Sequence, residues 1–483
     1  MSLDLNNYFK LGLDSTNDAV MEPGIMNTIR TPTDTSSSTL NRVTFKVPKI
    51  GMLTEDSHIN VQFLSSVAGS TGRATPNFVN GALGCVKRFR ILMDNRVLCD
   101  LEVPSKFTTP NLYARKSQTQ LNDYHYHYLG NQFKTDVRAD NGKEELSRDV
   151  RYMVTTNNAN QHIYNYNIIG ATQATSDVYG LPLRMLGAKF LETSSLPVFL
   201  MNDREIVVEL TFHSDCREYA VLDNGTLGAT DVTVNLGRCE LVSTHIMLDD
   251  ATEQRERAAS MTKAVQFPFV DTYMIRASHT GNAAAAGVGQ RNNKNTIYRL
   301  HLNNRELHSL LMVPTNTPSN NTFAPFNGQS RTVANQRSDC LGDSILQLKS
   351  NGQNYFDRPI SNNAVLFQLL TYYNQGLAMK VPYQAWNCTD QSLNDISAAG
   401  QPARMQDYRG AWRYLGVDFR NGNSGVYGAG TPQKSALEVD FTASVPNGHV
   451  SNPTIASTTK DVFFYVNVSK LLSLGGKNIS ISF

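Results

Sequence analysis

The clearest pattern in the chain is an alternation of apolar and polar residues over 205–212, EIVVELTF. The apolar positions of one phase are Ile206, Val208, Leu210 and Phe212. Side chains of a β-strand point alternately to opposite faces, so this segment is predicted to be a half-buried strand. Residues 477–483, KNISISF, repeat the alternation, and at one constant spacing Val208, Leu210 and Phe212 match Ile479, Ile481 and Phe483. The match predicts that each half of the chain closes with an equivalent strand.

Further alternating segments recur in the same order in both halves. Residues 42–47 (RVTFKV) match 264–269 (AVQFPF), 60–64 (NVQFL) match 272–277 (TYMIRA), and 88–98 (RFRILMDNRVL) match 344–356 (SILQLKSNGQNYF). In the last match the predicted turn Asp94-Asn95 corresponds to Asn351-Gly352, and each is short enough to join two antiparallel strands. Four matches in one order predict that the chain is one β-domain duplicated in tandem.

A helix is predicted over 251–262, within the segment DDATEQRERAAS and the residues after it. Acidic residues lead this segment, arginines follow, and it contains neither Gly nor Pro. It lies near the middle of the chain and is interpreted as a connector between two domains. A second helix is considered over 109–120, and two short strands are predicted at 232–236 (VTVNL) and 239–248 (CELVSTHIML).

The predicted fold class is all-β, because the strands are short, the loops are long and the helices are few. Two antiparallel sandwiches or jelly rolls fit this pattern, and 483 residues exceed what one core usually serves. The predicted division is an N-terminal arm over 1–40, a first β-domain over 41–250, the connector helix over 251–262 and a second β-domain over 263–483. The arm is too polar to fold alone, so it is either a dispensable tail or a segment that orders against a neighbouring subunit.

Composition narrows the function classes. Only 18% of the residues are charged and the formal net charge is +2, so electrostatic binding of nucleic acid is not predicted. No apolar run approaches the ~20 residues of a membrane span, and the start MSLDLNNYFKLG lacks the layout of a signal peptide. We therefore expect folding in a reducing compartment, with unmodified Asn-x-Ser/Thr sequons at Asn224, Asn320, Asn387, Asn467 and Asn478. Free and mostly buried thiols are expected at Cys85, Cys99, Cys216, Cys239, Cys340 and Cys388.

The sequence contains little evidence of a metal-binding site. His125 and His127 fall on one side of a predicted strand, a geometry that can hold a metal ion, but no third ligand is evident. A polar loop or a subunit interface is the preferred interpretation of these two histidines. No metal ligand and no cofactor are predicted.

The sequence contains equally little evidence of a catalytic site. Asn202-Asp203 before Arg204 is interpreted as a turn, and Asp249-Asp250 as the acidic first turn of the connector helix. Residues 281–289, GNAAAAGVG, are glycine-rich but follow no βαβ unit, so an exposed loop is favoured over a phosphate-binding loop. We predict no catalytic residue and no enzyme activity.

An aromatic cluster leaves a second function open. Its members are Trp386, Trp412, Tyr383, Tyr408 and Tyr414. Exposed aromatic rings can stack on sugars, so the alternative is a carbohydrate-binding or glycoside-processing β-sandwich protein. The preferred interpretation is that these rings pack the second core or fill a subunit interface.

Taken in order, five segments resemble the double jelly-roll major capsid proteins of non-tailed icosahedral DNA viruses, especially those of virophages, polinton-like viruses and adintoviruses. They are RVTFKVPKIGMLTEDSHINVQFL, CVKRFRILMDNRVLCDLE, LPVFLMNDREIVVELTF, CELVSTHIMLDD and TIYRLHLNNRELHSLLM. The resemblance covers nearly the whole chain, and its specificity lies in the order of the segments. It implies two tandem eight-stranded jelly rolls joined by the short connector helix.

The same resemblance implies a function and partners. Three copies would form a pseudo-hexagonal capsomer that tiles an icosahedral shell, so the expected partners are the chain itself, neighbouring capsomers, penton proteins and minor or cement proteins. The expected location is the virion, after assembly inside the host cell. In this family the N-terminal segment links capsomers at the inner base, which favours an arm that orders against a neighbour.

Overall fold

The structure is a computed structural model of the chain. It describes residues 25–32, 42–67, 74–76, 81–115, 135–137, 144–146, 174–192, 195–201, 204–215, 220–222, 225–226, 232–280, 292–302, 304–316, 322–323, 344–374, 414–420, 430–445, 459–475 and 478–482.

Eight strands in the first half form two sheets. In chain order they are β1 (Ile25–Pro32), β2 (Arg42–Lys46), β3 (His58–Val67), β4 (Val86–Met93), β5 (Arg96–Glu102), β6 (Ala174–Pro182), β7 (Ile206–Phe212) and β8 (Val232–Met247). One sheet has the order β1-β8-β3-β6 and the other has the order β2-β7-β4-β5. All neighbouring strands are antiparallel.

Eight strands in the second half repeat this arrangement. They are β9 (Val265–Thr280), β10 (Asn292–Leu300), β11 (Arg305–Asn316), β12 (Ser344–Ser350), β13 (Gln353–Asn354), β14 (Leu415–Asp418), β15 (Leu437–Val445) and β16 (Thr459–Gly475). The sheets are β9-β16-β11-β14 and β10-β15-β12-β13, so each strand of the first half has its counterpart eight strands later. This is the strand order of a jelly roll, and the predicted fold of two tandem eight-stranded rolls is confirmed.

Helices and short strands complete the described fold. The helices are α1 (Pro104–Arg115), α2 (Leu183–Leu186), α3 (Asp250–Thr262) and α4 (Asn363–Tyr373), with 3₁₀ turns at Gly81–Cys85, Lys189–Glu192 and Val198–Met201. The short strands are Met52–Leu53, Ala74–Pro76, Thr135–Val137, Glu144–Leu146, Ala220–Leu222, Gly225–Thr226, Thr322–Phe323, Thr431–Gln433 and Asn478–Ser482. The predicted connector helix is confirmed as α3, and the helix considered over 109–120 begins five residues earlier, as α1.

The predicted pair of hairpin turns is also confirmed. Asp94 and Asn95 join β4 to β5 with φ angles of 49° and 61°, and Asn351 and Gly352 join β12 to β13 with φ angles of 54° and 79°. Two consecutive residues with positive φ make the turn whose twist matches antiparallel strands, and Asn, Asp and Gly tolerate that conformation best. The two halves therefore use the same turn at the same place.

Three of the four predicted strand matches are wrong in their partners. The counterpart of β7 is β15, whereas Asn478–Ser482 pairs with the edge of β16. Residues 265–269 and 272–277 both lie in β9, and the counterpart of β9 in the first roll is β1. The true counterparts of β2 and β3 are β10 and β11. Alternation defines which face of a strand is buried but not which strand it pairs with, so unrelated strands of similar pattern were matched.

Two boundaries also differ from the prediction. Residues 25–32, expected in the polar arm, form β1 and pair with β8 from Ile25↔Met247 to Pro32↔Glu240. The two short strands expected at 232–236 and 239–248 are one strand, β8, with a bulge between Leu236 and Cys239. The rest of the predicted arm, over 1–24 and 33–40, lies outside the described residues.

Candidate functional site: the junction between the two jelly rolls

Two long strands of the second roll, β9 and β16, line both hydrophobic cores. At one end Phe267 and Phe269 pack in the core of the first roll, together with Leu472. Further along, Phe464 and Val466 lie in the core of the second roll. Strands of this length extend past the core of the second roll. Their projecting ends bury apolar surface of the first roll. The junction is therefore built from continuous backbone rather than from side chains alone.

A buried ion pair lies where the two cores meet. Lys470 Nζ is 2.6 Å from Asp271 Oδ2, and each side chain is only 2% exposed. Lys470 Nζ also donates to the carbonyl oxygen of Leu98 on β5 of the first roll, at 3.2 Å, and lies 4.8 Å from the centre of the Tyr273 ring. A lysine of the second roll thus connects an acid of its own sheet to the backbone of the first roll.

Burial dominates the electrostatics of this pair. Desolvation raises the pKa of Asp271 to about 6, although the nearby Lys470 ammonium opposes that rise. Burial alone would lower the pKa of Lys470, but the Asp271 carboxylate and the Tyr273 hydroxyl together outweigh it and raise that pKa. At neutral pH both members are charged, and each needs the other because no solvent screens it.

Helix α1 of the first roll covers part of the outer face of β16. Phe464 contacts the Tyr298 ring of the facing sheet, with centroids 5.0 Å apart, so its neighbours Phe463 and Tyr465 point outward. The Phe107 ring of α1 lies 5.2 Å from the Tyr465 ring, and Lys106 Nζ lies 4.4 Å above the Phe463 ring.

A backbone contact and a second aromatic group complete this side of the junction. The Tyr465 hydroxyl donates to the carbonyl oxygen of Val103 at 2.9 Å. Phe190, from the 3₁₀ turn after α2, lies edge-on to Phe267 and Phe269, with centroids 6.4 and 5.5 Å away. Both faces of the β9-β16 pair are therefore held by the first roll, which fixes the two rolls to each other.

A chain of ion pairs crosses the outer face of the β2-β7-β4-β5 sheet. Glu209 on β7 contacts Arg42 on β2 and lies 3.2 Å from Arg90 on β4, and its side chain is only 3% exposed. Arg90 continues to Asp100 on β5 at 3.4 Å, and Arg88 grips Asp100 through two hydrogen bonds of 2.7 and 2.6 Å. Glu209 belongs to the polar phase of the predicted half-buried strand, but its side chain is buried because the arginines on both sides cover it.

Four histidines are buried in the described part of the chain, at positions 213, 245, 279 and 308. Burial lowers the pKa of His213 to about 3 and that of His245 to about 4. His308 Nε2 lies 2.6 Å from Ser469 Oγ, and burial lowers its pKa as well. These three rings are neutral at pH 7 and act as polar parts of the core.

The connector helix begins at Asp250, one residue before its predicted start. The Asp249 carboxylate accepts a hydrogen bond of 3.0 Å from the Thr252 backbone N–H and caps the helix. One turn further, Glu253 binds Arg257 at 2.6 Å. Asp249 is therefore a capping residue, as the interpretation of Asp249-Asp250 as a helix start required.

Most candidate residues of the sequence fall outside the described part of the chain. These are His125, His127, Asn202, Asp203, residues 281–289, Trp386, Trp412, Tyr383 and Tyr408. Arg204 is described and lies 3.7 Å from Asp94 of the neighbouring turn. Tyr414, the described member of the aromatic cluster, is completely buried in the second core, so its ring is not a platform for a ligand.

Cysteine and sequon predictions can be followed for some residues. Cys85, Cys99 and Cys239 are free thiols, the first two buried. Asn467 is buried in β16 and donates from Nδ2 to Ser309 Oγ at 2.7 Å. The remaining cysteines and most of the other sequons lie outside the described residues, at Cys216, Cys340, Cys388, Asn224, Asn320 and Asn387.

Metal and membrane chemistry can be judged for the same part of the chain. Within the described ranges, no group of three or more His, Cys, Asp or Glu side chains is placed to hold a metal ion. Among the helices described, none is both long and apolar enough to cross a membrane.

The residues that build the junction were not found by sequence reasoning, although a signal was present. The apolar phase of β9 runs Val265, Phe267, Phe269 and then meets Asp271, while the apolar phase of β16 meets Lys470. Two opposite charges, each in a phase that is otherwise apolar, are the pattern of a buried ion pair.

No family model matches the sequence, and no curated protein matches it either. Solved structures do match. A chain of the Sputnik virophage structure determined by cryo-EM is 12% identical, with 99% of this chain and 92% of that chain covered and a TM-score of 0.59. VP54 of PBCV-1, fitted into a reconstruction of Sputnik, is 13% identical over 95% of this chain and 96% of that chain, with a TM-score of 0.55.

The major capsid protein of mavirus is similar to a comparable extent. It is 10% identical, covers 95% of this chain and 90% of its own, and has a TM-score of 0.52. Similarity at such low identity establishes the fold, and it spans both rolls rather than one.

Proposed function

We propose that this chain, which has the double jelly-roll fold of viral major capsid proteins, is itself the major capsid protein of an icosahedral DNA virus. The observation that carries the proposal is the repeated strand order in two rolls that share the strands β9 and β16. The similarity to virophage, PBCV-1 and mavirus proteins over at least 95% of this chain supports it.

Three copies of the chain form the capsomer in this proposal. Three chains with two equivalent rolls present six similar units around a ring, which approximates six-fold packing in a closed lattice. A lattice of many identical blocks needs each block to hold one shape. The Asp271–Lys470 pair and the contacts of α1 supply that rigidity, because they fix one roll against the other.

The remaining assignments follow from this role. The domains are a first roll over 41–250, extended by β1, the connector helix over 251–262 and a second roll over 263–483. Neighbouring capsomers, penton proteins and minor or cement proteins are the proposed partners, and residues 1–24 are the proposed arm toward them. The protein acts in the virion as a structural subunit, without a cofactor and without enzyme activity.

The carbohydrate-binding alternative has little support. It rested on five aromatic residues, of which the described one, Tyr414, is completely buried. No described observation favours it over packing of the second core.

Mass measurement during size-exclusion chromatography tests the proposal. The expected particle has three times the chain mass of 53.5 kDa, and negative-stain images should show outlines of hexagonal appearance. A stable monomer at micromolar concentration that binds glycans on an array would overturn the capsid assignment and support the alternative.

A further inference from the structure

Two helices occupy equivalent places in the two rolls. Helix α1 lies between β5 and β6 of the first roll, and α4 lies between β13 and β14, their counterparts in the second roll. The duplication therefore produced two copies of one helix as well as two copies of each strand. The contact that α1 makes within the chain therefore indicates which contact α4 can make.

Helix α1 binds the neighbouring roll. Through Phe107 and Lys106 it covers Phe463 and Tyr465 on the outer face of the β9-β16-β11-β14 sheet. The helix of one roll thus packs on the outer face of the corresponding sheet of the next roll. This contact is intramolecular only because the next roll belongs to the same chain.

Helix α4 has one buried stripe that belongs to its own roll. Leu366, Leu370 and Tyr373 face inward against β14. A Cβ added at Gly416 on β14 would lie 2.7 Å from the Tyr373 ring, so the helix is pressed closely onto this strand. This stripe fixes the position of the helix.

A second apolar stripe of α4 points outward. Val365 is 38% exposed, Tyr372 is 55% exposed and Leu369 between them is half-buried, with the spacing i, i+4, i+7 that places all three on one face. The helix sequence NAVLFQLLTYY contains no charged residue. A surface helix normally carries charged side chains on its outer face, so this face has the composition of an interface.

We propose that this outward face of α4 binds the outer face of the β1-β8-β3-β6 sheet in a second copy of the chain, as α1 binds the corresponding sheet within one chain. The inference rests on the proposed homotrimer and names its contact. An exposed apolar residue marks the receiving sheet: Val178 on β6 is 45% exposed and points outward, because its neighbour Tyr179 contacts Phe63 in the core. Repeating the contact three times closes a ring of six rolls in which every junction uses one of the two helices.

The test replaces the outward stripe by charge. Val365→Glu combined with Tyr372→Glu leaves the inward stripe intact, so the chain should fold with an unchanged circular dichroism spectrum. The dissociation constant of the trimer, measured by mass photometry over a dilution series, should rise at least about tenfold. Met261→Glu is the matched control, since Met261 is 61% exposed on α3 and lies outside the proposed contact.

A labelling experiment gives a second readout that does not depend on breaking the trimer. Tyr372→Cys should react with maleimide at least about tenfold more slowly in the trimer than in monomer obtained by dilution. Met261→Cys should react equally fast in both states, and peptide mass spectrometry assigns each label to its site.

The outcomes separate this inference from the proposed function. A wild-type protein that is monomeric overturns the trimer and this contact with it. A wild-type trimer whose dilution curve is unchanged by the double substitution overturns the α4 contact and leaves the capsid proposal standing. The same holds if the thiol introduced by Tyr372→Cys stays fully reactive in the trimer.

Discussion

The carboxylate of Asp271 and the ammonium group of Lys470 lie 2.6 Å apart between the two cores, and each side chain is 2% exposed. A pair at this depth has lost its hydration, so its members are held by each other and by the Leu98 carbonyl. Removing one member leaves the other buried without its counter-charge. Removing both leaves an apolar gap that hydrophobic side chains can fill.

We therefore expect a strong contrast between single and double substitutions at this pair. Lys470→Met or Asp271→Leu alone should lower the free energy of unfolding by about 3–5 kcal/mol, whereas the double variant should be near neutral or more stable. Urea denaturation monitored by tryptophan fluorescence measures both. The exposed pair Lys46–Glu205, more than half exposed on each side, is the control, and Lys46→Met should cost at most about 1 kcal/mol. Equal losses for the two lysine variants would show that the buried pair does not hold the junction.

The buried histidines predict acid sensitivity. Their pKa values in the fold, about 3 for His213, about 4 for His245 and lowered for His308, lie below the ordinary 6.5 of the unfolded chain. Below pH 6.5 these histidines bind protons in the unfolded chain but stay unprotonated in the folded chain. The free energy of unfolding therefore falls by up to about 1.4 kcal/mol per pH unit for each histidine. Asp271 acts in the opposite direction, because its pKa of about 6 exceeds the ordinary 3.8 and stability is gained as pH falls from 6 toward 4.

Three histidines outweigh one aspartate, so the net stability should decrease between pH 6.5 and pH 5. Unfolding free energies at pH 7, 6 and 5 measure the slope. His245→Gln should reduce the slope by close to one proton, because the pKa of this buried ring is lowered to about 4 in the fold. A wild-type stability that is constant or rising over this range would contradict the prediction.

Of the four matches that argued for a duplication, the hairpin match could be predicted from the sequence, but the equivalence of the other strands could not. The hairpin at Asp94-Asn95 and its counterpart at Asn351-Gly352 were correct because turn chemistry is local. Residues 477–483 were matched to β7 on alternation alone. Their pairing is set by the short connection after Gly475, which pairs with Asn478 and folds Asn478–Ser482 back onto β16.

The ion pair at the junction could likewise be predicted only in part from the sequence. The charges of Asp271 and Lys470 interrupt two apolar phases, and this signal is readable in the sequence. Their contact is not, since the two residues are far apart along the chain and meet only because β9 pairs with β16 in one register out of many. Long-range register is a property of the whole fold.

The ion-pair chain on the first roll predicts that Glu209 contributes more to stability than an exposed carboxylate of the same sheet. Glu209→Ala should lower the free energy of unfolding by about 1–3 kcal/mol, because Arg42 and Arg90 lose a shared partner. Glu205→Ala, immediately before the same strand and more than half exposed, should change it by less than about 0.5 kcal/mol. Thermal unfolding of the two variants side by side makes the comparison. Similar losses would mean that the arginines find other partners when Glu209 is absent.

The β12–β13 turn gives a prediction that depends on backbone conformation alone. Gly352 has a φ of 79°, and a Cβ at this position would contact nothing within 4 Å, so Gly352→Ala adds strain without a clash. The cost should be about 1 kcal/mol, whereas Gly352→Asn should cost less because Asn tolerates the left-handed region. The readout is the hydrogen exchange of the Tyr355 amide, which donates to the Leu348 carbonyl at 2.7 Å across the hairpin. That amide should exchange about fivefold faster in the Ala variant and nearly as in the wild type in the Asn variant. Equal acceleration in both variants would show that the left-handed conformation of residue 352 does not set the cost of the substitution.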